Sequence, residues 1–400
     1  MTGVPNVVEG AHLEFNLSDD QRAIAEAVKR ICLRFPDEYW TRKDTLAEFP
    51  HEFHAAMAAD GWLGITMPEE LGGSNLGVTE AAIMMNTVAA GGGGSAAMST
   101  LQINLFAPHP IVVLGTPEQK RRMLCPLISG SEKTCFGVTE ANAGLNTTRI
   151  KTFAKKVDGG YLVNGSKIWT STAQEADNIL LLTRTTAFEE CAKPTDGMTI
   201  FFTKLNREKI EVRRIPKMGR AAVDSNAIFI QDLLIPEQDR IGEEGKGFHY
   251  LLHSLNPERI IVAAGAIGIA QDALRRAAAY ARERVVFDRP IGQNQSIQHP
   301  LAEIWCSIEA AWLMTMKAAS LYDRKEPCGS YANAAKFLAG RVAFNSATQA
   351  VLTHGGMGYA KEYQVERLFR ESMLQRLTPV SEQLILSFIA EKELGMPKSY

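Results

Sequence analysis

Residues 256–303, NPERIIVAAGAIGIAQDALRRAAAYARERVVFDRPIGQNQSIQHPLAE, contain the longest helical pattern of the chain. Asn256 is a favourable N-cap and Pro257 suits the first helical position. The apolar and Ala-rich run that follows has no breaker before Asp288. We therefore predict one long helix that carries Glu258 and Arg259 in its first turn and ends in a basic tip formed by Arg282, Arg284 and Arg289.

The two ends of this helix carry different chemistry and lie far apart. From Glu258 to Arg284 there are about 26 residues, which corresponds to about 39 Å of helix at roughly 1.5 Å per residue. Both ends therefore cannot contact the same copy of a nucleotide-sized ligand. This geometry favours a symmetric oligomer in which one subunit supplies the first turn and its neighbour the tip. The alternative is an ordinary bundle helix with a solvated basic end.

Composition limits the possible partners. The 400 residues are 46% hydrophobic, enough for two or three domains, and 43 basic against 45 acidic residues give a net charge of -2. No nucleic-acid or membrane partner is expected, and no window shows the unbroken apolar run of a membrane span. The six cysteines form no CxxC pair, and residues 1–15 lack a leader pattern. We expect a reducing compartment such as a bacterial cytoplasm, although a mature mitochondrial matrix protein would look the same.

The pattern changes twice along the chain. Residues 1–130 show helical spacing, beginning with a helix over 20–34 that Ser18 or Asp19 can cap. Residues 131–242 contain short β-branched and aromatic runs separated by turn residues, and residues 243–400 return to helical spacing. We predict an α+β fold with an N-terminal α-helical domain, a middle β-barrel or β-sandwich domain and a C-terminal α-helical bundle. The glycine run 91–94 is a weak phosphate-loop candidate, because no strand precedes it.

Two segments of the middle domain are suited to a planar ligand. Residues 136–148 (FGVTEANAGLNTT) join a strand to a loop of small and hydroxyl residues. Residues 164–172 (NGSKIWTST) are interpreted as a hairpin turn followed by an aromatic ring and a row of hydroxyls. Small residues allow close approach to the backbone, and Trp169 could stack on a ring.

Together with residues 282–303 and 349–383, these segments resemble the acyl-CoA dehydrogenase family over nearly the full length of the chain. GVTEANAG resembles its first signature, ARERVVFDRPIGQNQSIQHPLAE its helix-tip flavin motif, and VLTHGGMGYAKEYQVERLFRE its glycine-rich turn and following helix. The resemblance implies FAD as cofactor, an acyl-CoA substrate, an electron-transfer flavoprotein as acceptor, and a dimer or tetramer. The implied reaction is α,β-desaturation, in which a carboxylate removes the α-proton while the β-hydrogen leaves as hydride to flavin N5.

The resemblance also assigns site residues. Those expected to contact FAD within one subunit are Phe136, Val138, Thr139, Gly144, Trp169 and Ser171. Those expected to contact it from a neighbouring subunit or from the C-terminal turns are Arg284, Phe287, Gln295, Gly355, Gly356, Ser381 and Gln383. Arg259 and Leu145 are expected to contact the substrate.

The expected catalytic base departs from the commonest pattern of the family. Where many members carry a glutamate near the last helix, this chain has Pro379, which also lacks the N–H that would donate to the thioester carbonyl. Val380 could serve if the register slips by one residue. Branched-chain and long-chain members use a glutamate at the position of Glu258, and we predict this residue as the base. Glu258 could instead simply complement the helix dipole, and Glu382 is a reserve candidate.

Three alternatives stay open at this point. The chain could be a family relative that works in reverse as an enoyl-CoA reductase. It could be a flavin monooxygenase that acts on a substrate without a thioester. It could also be a catalytically silent FAD-binding subunit, for which Pro379 is the best argument.

Overall fold

The structure, a computed structural model, describes residues 17–399. Residues 1–15, in which we looked for a leader pattern, lie outside this range. A helical N-terminal part, a central sheet and a C-terminal helical part follow one another along the chain, as predicted. The helices of the N-terminal part are α1 (Asp19–Cys32), α2 (Asp37–Leu46), α3 (His51–Ala59), α4 (Val78–Val88), α5 (Gly94–Phe106), α6 (His109–Leu114) and α7 (Pro117–Ile128).

Local capping signals set the start of two of these helices. Ser18 accepts a hydrogen bond from the Gln21 N–H, and the Gln21 side chain accepts one from the Ser18 N–H, so the capping box selects Ser18 rather than Asp19. Thr116 and Gln119 form the same reciprocal pair at the start of α7. The predicted beginning of α1 is therefore confirmed.

The glycine run lies in the turn between α4 and α5. Ala89–Gly93 forms a π-helical turn there, and the Arg367 guanidinium donates to the carbonyl groups of Gly92 and Gly93. The whole stretch Val78–Leu114 is long and apolar enough to cross a membrane by length and composition, contrary to our expectation that no window reaches this level. Most of it is buried inside the fold, as in the core helices of many proteins.

The central part is a mixed sheet. Its strands are β1 (Thr134–Gly137), β2 (Phe153–Val157), β3 (Gly160–Ser171), β4 (Asn178–Arg184), β5 (Met198–Lys204), β6 (Ile210–Arg214), β7 (Ser225–Pro236) and β8 (Arg240–Ile241). They pair in the order β6-β7-β3-β2-β4-β5-β8, and β1 pairs parallel to β4. Alternate residues of β4 face two separate cores: Leu180 and Leu182 pack toward α7, whereas Ile179 and Leu181 pack against β3 and β7.

One predicted turn is wrong. Asn164 and Gly165 lie within β3 rather than in a hairpin, because β3 continues past them along β7 with a shift of register. The Asn164 amide pairs with Asp232 of β7. Gly165 has a φ of 152°, and a Cβ there would lie 2.6 Å from the Thr152 Cα. The long strand therefore needs glycine at this bulge.

The C-terminal part is a helical bundle built around one long helix. Its elements are α8 (Gly247–Glu283), the hairpin of β9 (Val285–Val286) and β10 (Arg289–Pro290), α9 (Gln295–Asp323), α10 (Gly329–His354), α11 (Val365–Ser372), α12 (Leu374–Leu377) and α13 (Glu382–Lys392). The predicted start of α8 at Asn256 is wrong, because the helix begins at Gly247 and passes through Pro257. Small residues bring α8 close to the N-terminal helices: a Cβ on Gly268 would lie 2.3 Å from the Asn86 carbonyl oxygen.

Candidate active site and flavin site

Glu258 lies in the interior of α8, three turns after its beginning, and not in a first turn. Only 9% of the residue is exposed. Burial raises the pKa of its carboxyl group to about 7, against the opposing effect of the positive charges of Arg259 and Lys336. Within residues 17–399 the carboxyl group forms neither a hydrogen bond nor an ion pair, yet its oxygens are not fully enclosed. The explanation that Glu258 complements the dipole at the start of its own helix is therefore wrong, since the residue lies three turns inside α8.

Two cations lie near this carboxyl group, the half-buried Arg259 and the fully buried Lys336. The Arg259 guanidinium donates to the Asn256 side-chain oxygen at 3.2 Å, and its Nε is buried without a partner among residues 17–399. Lys336 of α10 is fully buried and donates to the Gln375 carbonyl group. Burial lowers the pKa of Lys336 to about 8, whereas Glu258 and Glu382 favour its charged form. Positive charge thus lies near Glu258, but neither cation contacts its carboxyl group directly.

Glu382 is occupied by structural contacts. Its carboxylate accepts from the Arg376 Nε and Nη2 at 2.7 and 2.9 Å and from the Arg341 Nε at 3.4 Å. The hydrogen bond from Arg376 is the main cause of its lowered pKa. Glu382 therefore neither faces solvent nor caps a helix with its side chain, and a carboxylate held in this way is a weak proton acceptor.

The predicted loop after β1 is fastened to β3. The buried Lys167 ammonium donates to the Val138 carbonyl oxygen at 3.1 Å and to the Glu140 carboxylate at 2.9 Å. The Ile168 N–H donates to the Thr139 carbonyl oxygen at 2.9 Å. These contacts hold residues 138–140 directly beside Trp169.

The remaining predicted residues of this loop fall into a packed and an open group. Phe136 packs edge-on against Phe106, with ring centroids 5.5 Å apart. Gly144 and Leu145 are exposed, and a Cβ on Gly144 would meet no atom within 4 Å. The open glycine surface next to a rigid strand end suits the close approach of a planar group.

Trp169 and Ser171 lie at the open end of β3. Trp169 has a φ of 61°, which is unusual for a bulky residue, and the strand register shifts between Lys167 and Thr170. The indole is 57% exposed and has no aromatic partner within residues 17–399. The Ser171 hydroxyl accepts a hydrogen bond from the Arg220 guanidinium at 3.0 Å. An exposed ring held in a strained conformation beside hydroxyls fits a stacking platform for an aromatic cofactor.

A second set of predicted residues lies at the other end of α8. Arg284 ends the helix, and Phe287 at the tip of the β9–β10 hairpin is 94% exposed with a φ of 52°. Gln295 begins α9 and is also exposed. Since α8 is continuous from Glu258 to Glu283, these residues are separated from Glu258 in the same chain by nearly the predicted 39 Å, about seven turns of helix.

The C-terminal turns present open backbone. Gly355 has a φ of 60°, and a Cβ on either Gly355 or Gly356 would meet no atom within 4 Å. Ser381 caps α13 by accepting from the Leu384 N–H, and Gln383 is exposed in the first turn of that helix. Pro379 lies in the preceding loop, where the Val380 N–H has no hydrogen-bond acceptor among residues 17–399.

Two residues of this site were not found in the sequence. Lys336 occurs in an Ala-rich helical run that shows no signal beyond a lone lysine on a buried face. Arg220 follows the loop Lys217–Met218–Gly219, and two cations beside a glycine between strands were the only available signal.

Comparison with known proteins gives a consistent result. Models of the acyl-CoA dehydrogenase N-terminal, middle and C-terminal domains match residues 18–131, 135–233 and 245–393. The chain is 32% identical over 399 residues to the acyl-CoA dehydrogenase FadE12 of Mycobacterium tuberculosis, covering 96% of this chain and 98% of that protein. It is 34% identical over 344 residues to the caffeyl-CoA reductase–Etf complex subunit CarC of Acetobacterium woodii, covering 85% and 89%. The structure of butyryl-CoA dehydrogenase from Megasphaera elsdenii superposes with a TM-score of 0.90 and 30% identity, covering 96% and 100%.

Proposed function

The chain belongs to the acyl-CoA dehydrogenase family of flavin oxidoreductases, whose cofactor is FAD, and from this premise we propose that it desaturates an acyl-CoA thioester between Cα and Cβ. Glu258 removes the proton from Cα, and the β-hydrogen leaves Cβ with its electron pair. The double bond forms between Cα and Cβ. When bound, FAD supplies the hydride acceptor at its N5.

The state of the Glu258 carboxyl group is the observation that carries this proposal. A general base acts best when its pKa lies near the working pH, and burial brings this carboxyl group to about 7. It has no hydrogen bond or ion pair within residues 17–399, so proton abstraction does not first require breaking an internal contact. Glu382 fails on both counts, because it is paired and its pKa is lowered.

The open end of the sheet is the proposed place of the flavin ring. Phe136, Val138 and Thr139 line it from one side, and Trp169 and Ser171 cover it from the other. The exposed indole and the open surface at Gly144 fit a planar cofactor, since both leave an accessible surface within residues 17–399 against which its ring can lie. Leu145, which is 62% exposed, and Arg259 are the proposed substrate contacts.

A neighbouring subunit completes the flavin site in this proposal. Arg284, Phe287 and Gln295 lie beyond the end of α8, about seven turns of helix from Glu258, and so cannot reach a flavin ring beside the Glu258 of their own chain. The almost fully exposed Phe287 and the open glycines Gly355 and Gly356 fit contacts with the adenosine and diphosphate part of a second copy's cofactor. Ser381 and Gln383 approach it from the following turn. The proposed assembly is a dimer or tetramer.

The thioester carbonyl oxygen needs hydrogen-bond donors as the α-proton leaves. Pro379 cannot donate from its backbone. The free N–H of Val380 supports the proposal that the donor is shifted by one residue.

A second candidate function is the reverse reaction. The similarity to a caffeyl-CoA reductase subunit supports it, and a carboxyl group with a pKa near 7 is half protonated at neutral pH and can donate a proton as well as accept one. The name of that relative also supports an electron-transfer flavoprotein as the redox partner of this chain.

Anaerobic mixing with a panel of saturated and α,β-unsaturated acyl-CoAs distinguishes these functions. Bleaching of the oxidised flavin by a saturated thioester is the expected result. Reoxidation of the reduced protein by an unsaturated thioester alone would favour the reductase. If no thioester gives a response, oxygen is then admitted to the reduced protein. Fast reaction with oxygen would indicate a monooxygenase, and no fast reaction a silent subunit.

A further inference from the structure

Arg220 is a buried cation without a carboxylate contact. Its Nη1 donates to the Ser99 hydroxyl of α5 at 3.0 Å, and its Nη2 donates to Ser171 at 3.0 Å and to Ser225 at 2.8 Å. No ion pair to it occurs within residues 17–399, and its Nε is buried and unpaired there. Burial lowers its pKa to about 10, which still leaves the group charged at neutral pH. Within residues 17–399 the guanidinium is thus hydrogen-bonded only to neutral hydroxyl groups, and the Asp224 and Glu371 carboxylates act on its charge through space without contact.

The backbone around Arg220 is held from two sides. Arg220 itself has a φ of 58°, and its carbonyl oxygen accepts from the Lys217 ammonium at 2.5 Å. The Ala221 N–H donates to the Asp44 carboxylate of α2 at 3.2 Å. Arg370 of α11 donates to the Met218 carbonyl oxygen at 3.2 Å. Contacts to both helical parts therefore fix the position from which the guanidinium extends toward β3.

The contact with Arg220 leaves the Ser171 hydroxyl one proton to donate. A hydroxyl has one donor and two acceptor positions, and a guanidinium has donors only, so the Ser171 proton cannot return to Arg220. Within residues 17–399 this hydroxyl has no other hydrogen bond. Ser171 is half-buried at the open end of β3, two residues after the exposed Trp169. Its proton is free for an acceptor that lies against this end of the strand.

We propose that Arg220 is a positioning residue for the flavin: it turns the Ser171 proton toward N5 and places a positive charge directly behind that contact. The inference rests on the proposed function, since it requires the flavin ring to lie against Trp169 and Ser171. Reduction adds negative charge to the ring, which a buried cation at short range favours. Arg220 therefore raises the reduction potential of the bound cofactor.

The reduction potential of bound FAD tests this role. Arg220→Gln removes the charge and is expected to shift the two-electron reduction equilibrium at least about tenfold toward oxidised flavin, which corresponds to about 30 mV. Arg220→Lys keeps the positive charge but not the planar set of guanidinium N–H donors. It is expected to keep the reduction potential close to that of the wild type while slowing hydride transfer. An Arg220→Gln protein that binds FAD with an unchanged potential would overturn the inference alone. A wild-type protein that binds no FAD would overturn the proposed function as well.

Two serine variants provide a test that does not alter the buried charge. Ser171→Ala and Ser225→Ala each remove one acceptor of the same guanidinium nitrogen, and the two serines face each other in the β3–β7 pairing. Ser171→Ala is expected to change the visible flavin spectrum and slow hydride transfer at least tenfold, and Ser225→Ala to leave both nearly unchanged. Equal effects of the two variants would show that Ser171 makes no special contact with the flavin and would overturn the inference. This pair tests the Ser171 contact, on which the role of Arg220 depends, even if Arg220→Gln does not fold.

Discussion

Glu258 of α8 and Lys336 of α10 are buried close enough to influence each other's protonation, yet they do not form an ion pair. The ammonium group of Lys336 is held instead by the Gln375 carbonyl oxygen. Its charge therefore lowers the pKa of Glu258 through space without occupying the carboxyl group. Lys336 thus adjusts the pKa of the proposed base without contacting its carboxyl group. The first two predictions depend on the pKa of Glu258.

Removing the charge of Lys336 should change the pH dependence of flavin reduction. Because Lys336 lowers the pKa of Glu258, Lys336→Met should raise it, and the pH midpoint of the reduction rate should move upward from about 7. Lys336→Arg retains the charge and serves as the control. The measurement is the rate of flavin bleaching by a good acyl-CoA substrate between pH 5 and 9. An unchanged midpoint in Lys336→Met would show that this lysine does not act on the base.

Ionised Glu258 should destabilise the fold. Its pKa is raised from 4.5 to about 7 on folding, so the folded state binds the proton more tightly, and stability is lost as pH rises from about 4.5 to 7. Glu258→Gln should therefore increase the free energy of unfolding by up to about 3 kcal/mol above pH 7. The gain should vanish below about pH 4.5. Denaturant unfolding of both proteins at several pH values measures this difference, and a pH-independent difference would argue against a buried, titrating carboxyl group.

Phe287 should bind FAD across a subunit interface. The Phe287 side chain is 94% exposed within one chain. If it had no partner in the assembly, its truncation would not change FAD binding. Burial of a phenylalanine in an interface stabilises by about 1.5–3 kcal/mol, so Phe287→Ala should weaken FAD binding about tenfold or more. Leu33→Ala, at another exposed apolar residue, is the control. FAD release and sedimentation should change together in Phe287→Ala, and FAD retention equal to wild type would remove Phe287 from the site.

Arg367 should be important for stability rather than for chemistry. It is buried and contacts the Glu371 carboxylate at 3.1 Å and the Gly93 carbonyl oxygen at 3.3 Å. Breaking a buried ion pair costs about 3–5 kcal/mol, so Arg367→Met should lower the free energy of unfolding by that amount. Arg213→Met breaks the exposed pair with Glu211 and should leave the free energy of unfolding nearly unchanged. Chemical denaturation compares the two, and equal small losses would contradict this account of the buried pair.

Structural features set by residues close together in the sequence could be predicted, unless tertiary contacts overrode them. The cap at Ser18 needs only a residue three positions away, and it was predicted. The turn signal of Asn164–Gly165 and the start signal of Asn256–Pro257 are also local, but partners in β7 and in the bundle overrode them. Interior proline removes a single N–H, which a long packed helix tolerates.

Residues that act through tertiary position could not be predicted. Nothing near Lys336 in the sequence indicates that it lies close to Glu258, because the two residues are on different helices. Arg220 contacts serines from three separate elements, and no spacing rule connects them. Glu258 itself was identified by resemblance, whereas its burial and its lack of a partner became evident only in the fold.

The rate of flavin reduction in Glu258→Gln tests the central claim most directly. Single-turnover mixing of the FAD-loaded, anaerobic protein with an acyl-CoA that bleaches the wild type should show a rate lower by about 10²–10⁴-fold, because the base is lost while FAD and substrate still bind. Glu382→Gln, which alters a paired carboxylate nearby, should reduce its flavin at close to the wild-type rate. Full-rate flavin reduction by Glu258→Gln would contradict the assignment of Glu258 as the base.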